Sequence, residues 1–168
     1  AAVPTWGTTR ADFEALRRRP NVHVLPPADN IDEILRRTRV LLVPSLWAEA
    51  RSRIVVEAML RGVPVLASDV GGIPEAKLGV DYLLPVRPIR RYRPAVDDRM
   101  VPLAEVPEQD IGPWLAALQE LLGNRERYEE LAIQSRAAAL RYAENLSVRP
   151  FEQLLQQCLQ QPPARYRL

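Results

Sequence analysis

One cysteine, one histidine and one lysine (Cys158, His23 and Lys77) are all that this 168-residue chain contains of those types. A lone cysteine forms no internal disulfide and leaves a cysteine-based zinc site without its ligands, so no metal site is expected. A Ser-His-Asp triad would have to draw on His23, which lies in the β-branched stretch Val22-His23-Val24 and reads as a strand residue. Charge of one sign is also lacking. The net charge is +2, which argues against nucleic acid as a partner. No apolar run approaches the roughly 18 residues that cross a bilayer, and the first residues lack the basic-then-apolar pattern of a secretory signal. A cytoplasmic location is the default expectation. The initiator methionine is missing too, and Ala2-Val3-Pro4 reads as the tail of a strand, so a piece of a longer protein is expected.

What is present is the mixture of a globular protein, with 47% apolar and 26% charged residues. The length suits a single domain over residues 1–168. Of the 23 basic residues all but Lys77 are arginine. Arginines cluster at 17–19, 36–39 and 87–93, where a phosphate or a peripheral membrane contact is conceivable, but interleaved Asp and Glu make solvated faces the plainer reading.

Along the chain, helical and extended patterns alternate. Thr9 is placed to cap a helix carrying Phe13 and Leu16, ended by Pro20-Asn21, and Val22 to Leu25 reads as a strand. Asp29 or Asn30 caps a short helix with Ile31, Ile34 and Leu35 on one face. The apolar run Val40-Leu41-Leu42-Val43 follows, read as a strand covered on both sides. A third helix is expected from Ser52 to Gly62, then a strand over Val63 to Ala67, a turn at Gly71-Gly72, a short helix, and a strand at Tyr82-Leu83-Leu84. Such βαβ alternation predicts an α/β fold with a parallel sheet and flanking helices.

Residues 86–108 interrupt the rhythm with prolines at 88, 94, 102 and 107 and arginines at 87, 90, 91 and 93, and are expected as a long irregular surface loop. Helices are expected over 110–161. One carries Leu115, Leu118 and Leu121 before Gly123, a second runs from Asn124 through Tyr142, and a third, capped by Ser147, carries Phe151, Leu154, Leu155 and Cys158.

The chemically informative stretch is 44–76, PSLWAEARSRIVVEAMLRGVPVLASDVGGIPEA. A strand ends at Pro44-Ser45, a loop holds Glu49, and a helix begins near Ser52 with Glu57 in its second turn. The first N–H groups of that helix lack backbone partners and carry the positive end of its dipole, at the carboxyl edge where open parallel sheets bind ligands. A carboxylate at Glu57 suits two vicinal hydroxyls, and Glu49 suits hydroxyls on the far side of a phosphate group. Spacing alone favours the plainer reading, a solvent-facing Glu57 and a loop acid at Glu49 beside Arg51 or Arg53.

Taken together, Pro44-Ser45, Glu49, Glu57-Ala58-Met59, Gly62-Val63-Pro64-Val65 and Gly71-Gly72-Ile73-Pro74-Glu75 resemble the donor-binding region of the retaining GT-B glycosyltransferases known as family 4 or group 1. The resemblance spans roughly 20–86. It implies a Rossmann-like domain, the C-terminal half of a GT-B fold, incomplete at its N-terminus. It implies that Glu49 contacts the transferred sugar near the reacting centre and Glu57 the nucleotide ribose. The backbone at Ser52, Arg53 and Ile54 would hold the diphosphate, and Gly71 and Gly72 would let the chain pass close to the ligand. Where members of that family usually have an aromatic residue and a glycine after the first Glu, this chain has Arg51 and Ser52.

The implied activity is hexosyl transfer from a nucleoside-diphosphate sugar to an acceptor hydroxyl with retained configuration, without cofactor or required metal. The acceptor would be held by a missing N-terminal domain, so the chain alone is expected to be inactive and free to dimerise through Phe151, Leu154 and Leu155. Two alternatives stay open: a non-catalytic sugar-nucleotide-binding module, and a GT-B-like sugar-nucleotide epimerase or phosphorylase.

Overall fold

The computed structural model describes residues 9–26, 28–97 and 100–160. Three strands, β1 (Leu41–Val43), β2 (Val65–Ser68) and β3 (Leu83–Leu84), form a parallel sheet in the order β1-β2-β3. Leu41 faces Val65, Val43 faces Ala67, and Ser68 faces Leu84. The helices are α1 (Arg10–Arg17), α2 (Ile31–Leu35), α3 (Arg53–Leu60), α4 (Ile73–Ala76), α5 (Gly112–Gly123), α6 (Arg125–Glu144) and α7 (Arg149–Gln160). The α/β architecture with a flanked parallel sheet is the one the alternating pattern predicts.

Local chemistry explains most boundaries. Thr9 and Asp12 form a reciprocal capping box at α1, and the side chains of Asn30 and Asn124 cap α2 and α6. The end of α3 is a Schellman motif. Gly62 takes φ +68°, its N–H donates to Met59 O, and that of Val63 donates to Ala58 O.

Strand β2 is buried along its whole length and sorts its side chains by parity. Val65 and Ala67 join Val55, Ala58, Met59 and Ile73 on the face covered by α3 and by Ala138 and Ala139 of α6. Leu66 joins Leu84, Ala117, Leu121 and Leu131 on the other, under α5 and α6. Lys77, at the C-terminal end of α4, is also buried, and its ammonium donates to Val65 O at 2.6 Å.

Three expectations need correction. Val22 to Leu25 adds no strand to the sheet. Only Val24 makes an isolated bridge, the stretch being short and bracketed by Pro20 and Pro26. Strand β1 is not covered on both faces, because α5 reaches Leu66 and Leu84 but leaves Leu42 45% exposed. The segment 86–108 is not an irregular loop. It contains an exposed antiparallel hairpin, β4 (Tyr92–Val96) with β5 (Pro102–Ala104), and an irregularity lies between the pairs Tyr92↔Ala104 and Val96↔Pro102. A two-stranded ribbon has two outer edges, so prolines that would break a central strand are accommodated.

Candidate functional site at the carboxyl edge of the sheet

Two strand-to-helix loops meet beyond the ends of β1 and β2. Their bases are joined by the Ser68 hydroxyl, buried, which donates to Val43 O at 3.1 Å. Higher up, Gly72 N–H donates to Glu49 O at 2.9 Å. Gly71 (φ +58°) and Gly72 are needed for this approach. A Cβ on Gly71 would stand 2.6 Å from Glu49 O, and one on Gly72 1.9 Å from Ala50 O. The sequence assigned these glycines to a close approach of ligand, whereas the neighbour they admit is the backbone that carries Glu49.

Glu49 is half-buried. Its carboxylate accepts a short hydrogen bond from the Ser45 hydroxyl, and its own N–H donates to Trp47 O. Loop and side chain are therefore both fixed. Downstream, Arg51 stacks over the Tyr142 ring of α6, 4.2 Å from its centroid, and donates to Glu75 O at 3.1 Å. The residue that replaces the expected aromatic thus pins the loop to α4 and α6.

Ser52 occupies the N-cap position of α3 and is buried, but its side chain makes no capping bond, contrary to the role its identity suggests. Arg53 and Ile54 form the first turn. Arg53 is 90% exposed, and its guanidinium lies 3.4 Å from Glu57, whose side chain retains 30% exposure. Glu57 also stands near Arg61, which donates to Glu57 O at 2.6 Å and pairs with Asp32. The arrangement combines an uncapped helix N-terminus, a half-exposed carboxylate one turn inside it, and a second carboxylate on the pinned loop.

Beside this edge lies a cavity of about 480 Å³. One wall is Pro44 to Trp47 of the β1–α3 loop, another is the hairpin through Tyr92, Leu103 and Val106, and the N-terminal turn of α1 contributes Thr9 and Asp12. Glu49 touches it indirectly, through Ser45. Sequence reasoning missed this wall because it read the prolines of 86–108 as breakers. The alternation Tyr92-x-Pro94-x-Val96 was the available signal. Elsewhere, Lys77 is held by burial well below its ordinary range, at about 8, with the charge of Asp81 pulling the other way.

Among the described residues no helix is long and apolar enough to cross a membrane. The family of group 1 glycosyl transferases matches residues 5–98, more than half of the chain. A D-inositol 3-phosphate glycosyltransferase of Nocardia farcinica (strain IFM 10152) is 29% identical over 114 residues, which cover 67% of this chain and 20% of that protein. The chain thus spans about a fifth of the length of this curated relative. On the strength of the family match, which takes in the whole carboxyl edge from Pro44 to Glu75, the chain belongs to the group 1 glycosyl transferases.

Proposed function

We propose that the chain binds the nucleoside-diphosphate sugar for a retaining transferase, with Glu49 meeting the transferred hexose, Glu57 the ribose hydroxyls, and the backbone of Ser52, Arg53 and Ile54 the diphosphate. The observation that carries this reading is the N-terminus of α3, which its own Ser52 leaves uncapped while Glu57 stays partly open one turn further on. Its first N–H groups are therefore placed to meet an anion. Departure of the diphosphate builds negative charge at that end, and a fixed helix terminus stabilises it without reorganising. A metal is not needed for that step in this reading. The name of the Nocardia relative supports glycosyl transfer as the reaction class.

Glu49 is held by Ser45 and by the Gly72 contact, so its carboxylate is preorganised. The test is sugar transfer by the parent protein from a panel of UDP-, GDP- and ADP-sugars, with Glu49→Ala and Glu57→Ala beside it. Transfer from one donor, lost in Glu49→Ala and with a raised donor KM in Glu57→Ala, supports the assignment. Nucleotide binding without any transfer would favour the non-catalytic module instead.

A further inference from the structure

We propose that the cavity walled by the β4–β5 hairpin receives the apolar portion of the sugar acceptor, the rest of which the resemblance assigns to a further domain, an inference that rests on the donor reading of Glu49 and Glu57 for its chemistry. The cavity is built rather than incidental. The stem of the hairpin is tied to the β1–α3 loop by Ile89 N–H donating to Leu46 O at 2.6 Å. Its two legs are clasped by the Gln109 amide, which accepts from Arg87 N–H at 3.0 Å and donates to Arg87 O at 2.9 Å. At about 480 Å³ it lies in the size range of small-ligand sites.

Its chemistry excludes the polar parts of the donor. Four of the polar lining residues already have partners: Thr9 and Asp12 bond each other, Ser45 bonds Glu49, and Asp97 accepts from Val101 N–H. Among the described residues no Arg or Lys lines it, and the two charged groups that do, Asp12 and Asp97, are carboxylates. A diphosphate entering here would meet two carboxylates of like charge. The remaining surface is apolar. The part-exposed rings of Trp47 and Tyr92 face the cavity with the side chains of Leu46 and Leu103. Ser45 is shared between this cavity and Glu49, so a ligand held here presents its far end where the sugar would be transferred. An alcohol with an apolar body meets these conditions, whether that body is a flat aromatic or an aliphatic chain.

The test titrates the 168-residue chain, by saturation-transfer NMR, with 2-naphthol as the flat probe and 1-octanol as the chain probe. Saturable binding of either is expected, and the tighter arm identifies the kind of body. Val106 lies on the rim and is 64% exposed, so Val106→Arg leaves the fold intact and is expected to weaken the probe at least tenfold. Leu103→Asp is expected to do the same from inside. Calorimetric binding of UDP, GDP and ADP should be unchanged in Val106→Arg. Failure of both probes to saturate, indifference to Val106→Arg, or displacement of the probe by a nucleoside diphosphate would each overturn the proposal. If no nucleotide binds the chain but the alcohol does, the donor reading falls while the apolar cavity stands.

Discussion

Replacing Lys77 by methionine separates a charge from the volume it occupies. The side chain is 1% exposed, in the packing between α4 and β2, and its ammonium donates to Val65 O. Burial lowers the ammonium from its ordinary 10.5 to about 8. Below pH 8 the group is protonated both folded and unfolded, and the folded state carries the full desolvation cost. Between pH 8 and 10.5 the folded state has released a proton that the unfolded state still holds, so stability must rise with pH across that window. At roughly 1.4 kcal/mol per pH unit the whole interval corresponds to about 3 kcal/mol. Roughly 2 kcal/mol of it is gained between pH 7 and 9.5, before other groups dominate. Urea unfolding of the wild-type chain and of Lys77→Met at half-unit steps over that range reads the difference directly. Methionine fills similar space but loses the bond to Val65 O, a pH-independent offset of about 1–3 kcal/mol. The expected signature is therefore a wild-type curve that climbs and a variant curve that stays flatter by about 2 kcal/mol. Parallel curves would refute the reasoning, because they would mean that Lys77 reaches water in the folded state.

Gly72→Ala puts a Cβ 1.9 Å from Ala50 O, between two backbones that cannot both yield. A loss of roughly 2–4 kcal/mol in thermal or urea unfolding is expected, and an unchanged Tm would show that the Glu49 loop is free to move. Glu57→Gln should weaken nucleoside-diphosphate binding about 10- to 100-fold in calorimetry, the equivalent of one charge-assisted hydrogen-bonding group. Equal affinity would move the ribose elsewhere. Tyr142→Leu removes the ring under Arg51 and is expected to cost about 1 kcal/mol, whereas Tyr142→Phe should cost little. If the two substitutions are equivalent, the stacking contributes nothing.

Much of this molecule can be read from its residues, and the parts that cannot share a physical cause. Helix ends were legible because their signals are local. Thr9, Asn30, Gly62 and Asn124 each act within a few residues of themselves. Periodicity likewise gave β2, which is buried on both faces as its composition demands. The hairpin was not legible, since Pro94 and Pro102 argue against strands unless one knows that the ribbon stands alone. At the site, the order of Pro44-Ser45, Glu49 and Glu57 could be read, but not what fixes them. The contacts of Gly72 with Ala50, and of Arg51 with Tyr142, join residues 22 and 91 positions apart, and no local pattern encodes such a meeting.

The strand order β1-β2-β3 follows the order of synthesis, with each crossover helix made before the strand it delivers. Contacts of that kind close short loops and form early. The helix that covers Ala58 and Met59 behaves otherwise. Ala138 and Ala139 of α6 lie some 80 residues later, so residues up to 84 include all three strands, α3 and α4 but not the layer that covers α3. Until α6 docks, Ala58 and Met59 lack the cover that Ala138 and Ala139 give them. Arg51, stacked on Tyr142 of the same helix, is then the reporter of completion. The loop bearing Glu49 has its Tyr142 anchor only with α6 in place, so the shape of the site depends on a helix far downstream of the residues that line it.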